Sequence, residues 1–279
     1  MVEISIIMSV YNHPKRIKKT VDSVLKQSFK NFEFIIVNDG STEDVDSILN
    51  HYAKKDKRIK LIKNKKNFGL TKSLNKALKK SRGTYIARID SGDICKKYRL
   101  KLQKEFLDKN PDYAIVGSFI KIINEGGKKI GKTIYPVEDY QIKNALIRTN
   151  PFCHSTWMLR KKVLNEMGFY NSEFKYTQDY ELLLRVGSKY KLKNLNEFLV
   201  DYLYDAKGIS ISFKRKEQDR FALRARYLAL TKYNYSKKHW FDFLIAFAEY
   251  LIPFKIKILL VKNKKRISIR EKKIIFNKL

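Results

Sequence analysis

Apolar residues in the first third of the chain fall into short runs separated by stretches with helical spacing. The runs are nearly continuous in Ile, Val and Phe, which is typical of strands in a parallel sheet covered on both faces. The stretches between them place apolar residues three or four positions apart, as amphipathic helices do. Ser41 and Asp44 predict a capping box at the start of the second helix. The predicted strands are 4–10, 34–37, 59–62 and 85–90, and the predicted helices are 14–30, 41–53 and 69–80.

The pattern changes after residue 105. Alternating apolar and polar positions on either side of Gly126 and Gly127 predict a β-hairpin over 113–124 and 129–135. Further helices are predicted at 139–148, at 161–167, from Asp179 onward, and from about 215 toward the end. The chain therefore divides into regions 1–105, 106–210 and 211–279.

Residues 126–133 match the phosphate-loop pattern, but their context argues against that motif. A phosphate loop follows a strand and opens a helix at its lysine, so that backbone amides surround the phosphates. Here Pro136 follows closely, and it disfavours helical conformation at Tyr135. A glycine hairpin explains the segment, and we reject the phosphate-loop interpretation.

Composition adds a large positive charge that is concentrated toward the C-terminal end. The 279-residue chain has a net charge of +32, and residues 211–279 contain 19 Lys and Arg against 5 Asp and Glu. Such a region is expected to meet an anionic partner, either a membrane surface or nucleic acid. Since no known nucleic-acid-binding motif accompanies the charge, we predict no nucleic-acid partner.

Cysteine usage and hydropathy predict a cytoplasmic location. Cys95 and Cys153 form neither a metal-binding spacing nor a disulfide framework, which fits a reducing compartment. No stretch reaches about 18 uninterrupted apolar residues, and residues 4–10 lack the basic flank of a signal peptide. The basic end leaves open a peripheral attachment to the inner face of the cell membrane.

Carboxylates follow two of the predicted strands. Asp39 follows the second strand, and Asp90 and Asp93 follow the strand that begins at Tyr85. Ordinary turn and cap chemistry explains each cluster taken alone. However, ligands bind at the carboxyl ends of such strands, and converging carboxylates repel one another unless a cation lies among them. The coincidence at the ends of two neighbouring strands favours a divalent ion beside nucleotide phosphates.

At these positions the chain resembles family-2 glycosyltransferases. Each matching motif is weak alone, but together they occur in the order found in that family. They are 8–12 (MSVYN), 37–42 (VNDGST), 67–70 (NFGL) with Asn75, 89–93 (IDSGD), 150–155 (NPFCHS) and 178–181 (QDYE). The resemblance implies an inverting, nucleotide-sugar-dependent enzyme. It also implies the GT-A (Rossmann-like) fold, an α/β fold with a mixed, mainly parallel sheet flanked by helices. To this fold the sequence adds a helical, basic C-terminal extension.

The resemblance assigns a nucleotide site to the first region. Asp39 would hydrogen-bond the nucleoside, commonly at uracil, and Asn67 and Gly69 would shape the floor of that pocket. The residues that would bind the nucleotide are Val10, Tyr11, Asn12, Asp39, Asn67, Gly69 and Asp90.

The resemblance also implies a site for Mn²⁺ or Mg²⁺ at residues 90–93. Gly92 stands where the family motif often has its central metal-binding aspartate, so the metal donor stays open between Asp93, Asp90 and water. His154 would lie near the metal or the diphosphate, although a lone loop histidine is more often simply packed. Cys153 beside it is expected to be inert.

Asp179 matches the catalytic base of the family, since Gln178 leaves it as the single carboxylate of the usual acidic pair. An inverting transfer needs a base that removes the acceptor hydroxyl proton as that hydroxyl attacks the anomeric carbon. Residues 1–105 would then form the nucleotide-sugar-binding half, and 106–210 the acceptor-binding and catalytic half of one domain.

The resulting prediction is a metal-dependent transferase that moves a sugar from a nucleotide-sugar donor, preferably UDP-linked, to a hydroxyl of a cell-surface glycan or lipid-linked oligosaccharide. One alternative is a nucleotide-sugar pyrophosphorylase, which would need a glycine-rich loop that residues 8–14 lack. The other is a catalytically silent module that binds glycans or membrane, which Gly92 alone supports.

The C-terminal region has two interpretations. Apolar residues at helical spacing (Phe241, Leu244, Phe247, Ala248 and Leu251) precede ten basic residues between Lys255 and Lys278. This combination predicts either an interfacial helix on anionic lipid or a helix packed on the catalytic domain with a solvated charged face.

Overall fold

The fold is an α/β sheet with helices on both faces. A computed structural model describes residues 1–205 and 215–252. The strands are β1 (Ile4–Val10), β2 (Phe32–Asn38), β3 (Ile59–Lys63), β4 (Tyr85–Arg88), β5 (Ile94–Cys95), β6 (Tyr113–Ile123), β7 (Lys129–Thr133), β8 (Met158–Arg160) and β9 (Lys191–Leu203). The α-helices are α1 (Pro14–Leu25), α2 (Asp46–Lys55), α3 (Leu70–Lys80), α4 (Arg99–Lys109), α5 (Asp139–Leu146), α6 (Lys161–Met167), α7 (Gln178–Gly187), α8 (Arg215–Thr231) and α9 (His239–Leu251), with a 3₁₀ turn at His154–Thr156.

The strands described form one sheet in the order β3-β2-β1-β4-β8-β6-β9-β5, with β7 paired to β6. Strands β1 to β4 are parallel, whereas β8 runs antiparallel to both β4 and β6. Strand β9 returns parallel to β6. Chain order reverses beside β1, and ligands bind at such switch points in open α/β sheets.

Two apolar layers cover the sheet because alternate strand residues point to opposite faces. In β1, Ile7 packs with α3, α5 and α7 on one face, whereas Ile6 and Met8 pack with α1, α2 and α4 on the other. Both layers are closed, which explains why the N-terminal strands are apolar at nearly every position.

The predicted N-terminal elements and the hairpin are present, but two details of the prediction were wrong. Helix α2 begins at Asp46 without the predicted capping box: the Asp44 carboxylate accepts from the Ser47 amide at 3.1 Å, but Ser41 Oγ accepts a hydrogen bond from the Asn12 amide at 2.9 Å. The strands that precede the two aspartate clusters are not neighbours, since β1 lies between β2 and β4. The first difference follows from the loop after β2, which turns back toward Asn12 before the helix starts.

Residues 126–133 form a turn and strand β7, so the rejection of the phosphate loop is correct. The helical part of the C-terminal extension is present as α8 and α9. The basic segment 255–278 lies outside the described residues. In the parts of the chain that the structure covers, no helix is long and apolar enough to cross a bilayer.

Candidate active site

The candidate site lies where β1, β2 and β4 end. These strands are parallel and in register, so Asn12, Asp39 and Asp90 all emerge at the same edge of the sheet. The Asp39 amide donates to the Val10 carbonyl at 2.8 Å and so closes the gap between β1 and β2. The Val10 side chain is buried, whereas Tyr11 is 44% exposed.

Asp39 organises the loop that precedes α3. Its buried carboxylate accepts from Asn64 Nδ2 at 2.7 Å and from the Phe68 and Gly69 amides at 2.9 Å each. The Gly69 amide is shared with Asn67 Oδ1, also at 2.9 Å. These bonds bring Asp39, Asn67 and Gly69 together, as the sequence predicts.

Asn12 holds the loop after β2 in a similar way, by accepting hydrogen bonds from backbone amides. Its Oδ1 atom accepts from the Thr42 amide at 2.8 Å and from the Glu43 amide at 3.2 Å. Asn12 itself has φ 58°, in the left-handed region that asparagine tolerates better than most residues. The backbone conformation therefore places this side chain beside the Asp39 loop.

Asp93 carries a buried, partly unsatisfied carboxylate. The residue is 2% exposed, and Oδ1 accepts from the Leu203 amide at 2.8 Å. Oδ2 has no hydrogen-bond partner among the described residues. Burial, with the neighbouring charge of Asp90, raises the pKa of Asp93 to about 7. This carboxylate would be stabilised by a cation.

Gly92 is required by its surroundings. Its φ is 105°, and a Cβ built there would lie 2.6 Å from Leu203 Cδ2. The Gly92 amide donates to Thr20 Oγ1 at 2.8 Å. The aspartate that the family motif often has at this position would therefore be strained by its backbone conformation and would require the Leu203 side chain to move.

Arg88 and Ser155 hold Asp90. Both terminal nitrogens of Arg88 bond to the two carboxylate oxygens of Asp90. Ser155 Oγ accepts from the Asp90 amide at 2.7 Å and from Arg88 Nη1 at 3.3 Å. Asp90 is thus fixed through both its backbone and its side chain.

His154 lies in an aromatic setting. Its Nε2 atom is 2.7 Å from Tyr170 Oη, and its ring packs edge-on against Trp157 at 4.8 Å between centroids. Burial and the Arg88 charge lower the pKa of His154 well below its usual value, so the ring is neutral. Trp157 is fully buried, and the buried Cys153 thiol has its pKa raised to about 12 by burial, which keeps it unreactive.

Asp179 lies in the first turn of α7. Asn150 Nδ2 donates to Asp179 Oδ2 at 2.9 Å, which orients the carboxylate. Burial raises the pKa of the Asp179 carboxyl, while backbone amides at the helix start and the Arg88 guanidinium oppose that rise. A carboxylate with a raised pKa is suited to removing a proton.

The charge of Arg88 acts on Asp93, His154 and Asp179 alike, so these side chains belong to one cluster with Asp90. Asp39, with Asn67 and Gly69, forms a second group at the end of β2. Strand β1 separates the two groups. The predicted residues that follow β1, β2 and β4 therefore leave one sheet edge, whereas His154 comes from the 3₁₀ turn and Asp179 from the start of α7.

The donor atoms fit a hard divalent ion only in part. Within 1–205 and 215–252, no three His, Cys, Asp or Glu side chains could hold a metal ion by themselves. Asp90 and Asp93 offer oxygen donors, and Asp93 Oδ2 is buried without a partner. Such an ion would need further oxygen ligands from a diphosphate or water, as magnesium-type sites commonly have.

Three residues of the cluster had no predicted role: Arg88, Ser155 and Tyr170. Arg88 carried a usable signal, because an arginine inside an apolar strand must be paired once it is buried. Tyr170 carried none, since its place beside His154 depends on Asn75, whose Nδ2 donates to the Tyr170 carbonyl at 2.8 Å.

An open cavity of about 540 Å³ lies between the start of α1 and the segments that follow β6 and β9. Arg16 lines it and pairs with Glu125 and Asp205, at 2.7 Å for the second pair. A Cβ built on Gly92 would lie 3.6 Å from Arg16 Cδ, so the cavity adjoins residues 90–93 through Arg16.

Solved structures define the class of protein. TarS from S. aureus, solved as residues 1–349 with UDP-GlcNAc, superposes with a TM-score of 0.71 at 20% identity, covering 99% of this chain and 79% of that chain. The mannosyltransferase PcManGT from Pyrobaculum calidifontis, solved with GDP-Man and Mn²⁺, gives 0.66 at 14% identity, covering 89% and 69%. The fold is that of GT-A glycosyltransferases.

Sequence comparison gives the family. The model for glycosyl transferase family 2 matches residues 5–168. Over 243 residues the chain is 32% identical to an uncharacterized glycosyltransferase, MJ1057, of Methanocaldococcus jannaschii, covering 85% of this chain and 79% of the relative. Over 204 residues it is 34% identical to the O-antigen biosynthesis glycosyltransferase WbnJ of Escherichia coli, covering 71% and 78%. The chain belongs to glycosyl transferase family 2, which confirms the resemblance seen in its motifs.

Proposed function

We propose that the protein is an inverting glycosyltransferase that takes a sugar from a nucleoside diphosphate, preferably UDP, and adds it to a hydroxyl of a cell-surface glycan or lipid-linked oligosaccharide. The observation that carries the proposal is that the Asp39 group and residues 90–93 leave the same edge of the sheet, while Asp179 at the start of α7 is within electrostatic range of Arg88 and Asp90. Support for the donor comes from TarS, which was solved with UDP-GlcNAc. Support for the acceptor comes from WbnJ, which is named for O-antigen biosynthesis.

Residues 1–105 bind the nucleotide sugar in this proposal. The nucleoside lies against the ends of β1 and β2, where Asp39 has rigid support from the loop it holds. The proposed contacts are Val10, Tyr11, Asn12, Asp39, Asn67, Gly69 and Asp90. Because Val10 is buried, it contributes through its backbone and by shaping the pocket.

The proposed cofactor is Mn²⁺ or Mg²⁺, held by Asp93 with Asp90 and His154 close by. When bound, the ion would stabilise the departing diphosphate. Asp93 fits this role because its Oδ2 is buried without a partner among the described residues. Mn²⁺ in PcManGT supports the choice of ion.

Residues 106–210 supply the acceptor half. Asp179 takes the proton of the acceptor hydroxyl as the oxygen of that hydroxyl attacks the anomeric carbon of the donor sugar. Asn150 keeps the carboxylate oriented for that transfer. The raised pKa of Asp179 makes it a stronger base than an ordinary aspartate, while the burial that causes it excludes competing water.

The two alternative functions, a nucleotide-sugar pyrophosphorylase and a catalytically silent module, are tested by different evidence. Family membership favours sugar transfer over the pyrophosphorylase. A catalytically silent module differs from the proposed enzyme only in activity, so the measurement of transfer decides between them.

The deciding experiment measures sugar transfer from a panel of UDP- and GDP-sugars to lipid-linked and free glycan acceptors, with Mn²⁺ and with EDTA. Asp179→Asn keeps the shape of the side chain but removes its basicity, so transfer should fall by about 10²–10⁴-fold while UDP binding is retained. Gln178→Asn, a neighbouring amide variant, is the control. Near-normal transfer by Asp179→Asn would assign the base elsewhere, and no transfer by the unaltered protein with any donor would favour the silent module.

The proposed location is the cytoplasm, with peripheral attachment to anionic membrane. Helix α9 supports attachment, because Phe241, Leu244 and Leu251 are 57–70% exposed on it. Exposed apolar residues beside dense positive charge are typical of interfacial helices.

A further inference from the structure

Arg88 is a fully buried cation beneath the acidic segment. Its side chain is 1% exposed, whereas the Asp90 carboxylate that it contacts is 40% exposed. A charge inside an apolar strand is costly unless it is paired and hydrogen-bonded. The pairing with Asp90 offsets most of that cost, although Arg88 Nε is buried without a hydrogen-bond partner among the described residues.

The contacts of Arg88 fix the orientation of Asp90. Two parallel bonds from a planar guanidinium leave a carboxylate little rotational freedom. Ser155 Oγ links the same two residues by accepting from Arg88 Nη1 and from the Asp90 amide. A lysine could supply the charge at this position but not the fork.

Arg88 also opposes the negative charge of the cluster. Its charge favours the ionised forms of Asp93 and Asp179. In Asp90 both oxygens are engaged by Arg88, whereas Asp93 Oδ2 has no partner in the described parts of the chain. Asp93 is therefore more available than Asp90 to bind another cation.

We propose that Arg88 is a positioning residue that serves as the resident counter-cation of residues 90–93. It holds Asp90 in place and competes electrostatically with a divalent ion, so that Asp93 is the carboxylate left for the ion. This inference rests on the proposed function, because it assigns how that site balances its charge. The expected consequence is that Arg88 improves transfer while it weakens the binding of the ion.

The experiment titrates Mn²⁺ into the full-length protein at about pH 8, with and without UDP, and follows free Mn²⁺ by electron paramagnetic resonance. Arg88→Gln should bind Mn²⁺ at least about tenfold more tightly than the unaltered protein, because a nearby positive charge is gone. Its sugar transfer should fall by about tenfold or more, because Asp90 is no longer oriented. Arg88→Lys should bind Mn²⁺ within about threefold of the unaltered protein, and its transfer should fall as in Arg88→Gln.

Arg99→Lys is the matched control. Arg99 is as buried as Arg88, but it bonds to the Arg88 and Trp157 carbonyls and does not bond to Asp90. Arg99→Lys should leave Mn²⁺ affinity unchanged even if it lowers stability.

The outcomes separate the hypotheses. Unchanged or weaker Mn²⁺ binding in folded Arg88→Gln would overturn the counter-cation role. If Arg88→Gln does not fold, Arg88→Lys tests the proposal instead. Unaltered transfer by Arg88→Lys would show that the two parallel hydrogen bonds from Arg88 to Asp90 are not needed. Failure of the unaltered protein to bind Mn²⁺ would instead reject the proposed metal site and this inference with it.

Discussion

Asp39 has two roles in the proposed site, one as a direct contact to the nucleoside and one through the loop that it holds. Its carboxylate accepts three hydrogen bonds from residues 64–69, so a substitution there also loosens the loop. An effect on nucleotide binding is informative only if the two contributions are separated.

We expect Asp39→Ala to weaken UDP binding by about tenfold or more, because a charge-assisted hydrogen bond to the nucleoside is lost. Asn64→Ala removes one bond to the loop without removing the Asp39 carboxylate, and it should reduce affinity much less. Calorimetric titration of UDP with Mn²⁺ measures both. Equal losses in the two variants would mean that Asp39 acts only through the loop.

Asp93 links stability to pH. Its pKa is about 7 in the folded protein and about 3.9 when unfolded, so the folded state binds the proton more tightly. The stability from this group is present at low pH and is lost as pH rises through about 7. The pKa of His154 is lowered in the folded protein, so below about pH 6.5 this residue makes the free energy of unfolding rise with pH. The effect of Asp93 is therefore measured above about pH 6.5.

Between about pH 6.5 and about pH 8.5, this group should lower the free energy of unfolding by about 1 kcal/mol in EDTA. Urea titrations at the two pH values measure the change, and Asp93→Asn should abolish most of it. If the free energy of unfolding of Asp93→Asn falls by the same amount between the two pH values, other groups cause the change.

At the scale of elements, the turns after the strands decide where the site side chains lie. Gly40 has φ 69°, and a Cβ there would lie 2.3 Å from the Lys66 carbonyl carbon. Gly69 has φ 89°, but no atom lies within 4 Å of its Cβ position. Substitution of Gly69 therefore measures backbone strain alone, whereas substitution of Gly40 measures backbone strain together with a steric clash.

Gly69→Ala should destabilise the protein by about 1–3 kcal/mol, because φ 89° and ψ 158° lie in a backbone region that glycine alone adopts readily. Gly40→Ala should cost clearly more, because the Asp39 loop must also move away from Lys66. Urea unfolding of both variants tests this, and equal costs would contradict the close approach.

Periodicity predicted β1 to β4 and most helices because both sheet faces are closed there, which makes the pattern strong. The hairpin was predicted from its alternating residues and its glycine turn, although β7 is mostly exposed. It missed β9 (Lys191–Leu203), in which apolar and charged residues do not alternate regularly and register shifts interrupt the pairing with β6. The positions of Asp39, Asp90 and Asp179 in the site were predicted from strand ends and motifs. Tyr170 could not be, because its position is set by a contact with Asn75 distant in the chain.

At the scale of the molecule, the two sheet faces have different surroundings. Helix α8 packs on α7 and joins the apolar layer of one face, and α9 packs on α8 outside it. No residue of α9 is buried, and its aromatic side chains contact α8 through Trp240 and Phe243, which pack against Tyr227, and through Tyr250, over which Lys216 lies. This face is the one we expect to approach a membrane.

Truncation after Ile252 should weaken sedimentation with anionic vesicles while leaving donor hydrolysis largely intact. Each basic residue near such a surface contributes about 1 kcal/mol, screened within about 8 Å at physiological salt. Vesicles of neutral lipid and high salt are the controls. If the truncated protein sediments as well as the full chain, the positive charge is solvated and α9 is the next element to test.

The contact between Gly92 and Leu203 constrains how this sequence can evolve. An aspartate at position 92 would be strained at φ 105° and would displace the end of the Leu203 side chain from its present position on β9. Single substitutions in either direction therefore pass through a poorly packed intermediate. Relatives that have an aspartate at position 92 are expected to have a smaller residue at position 203, so the acidic motif and the last strand should change together.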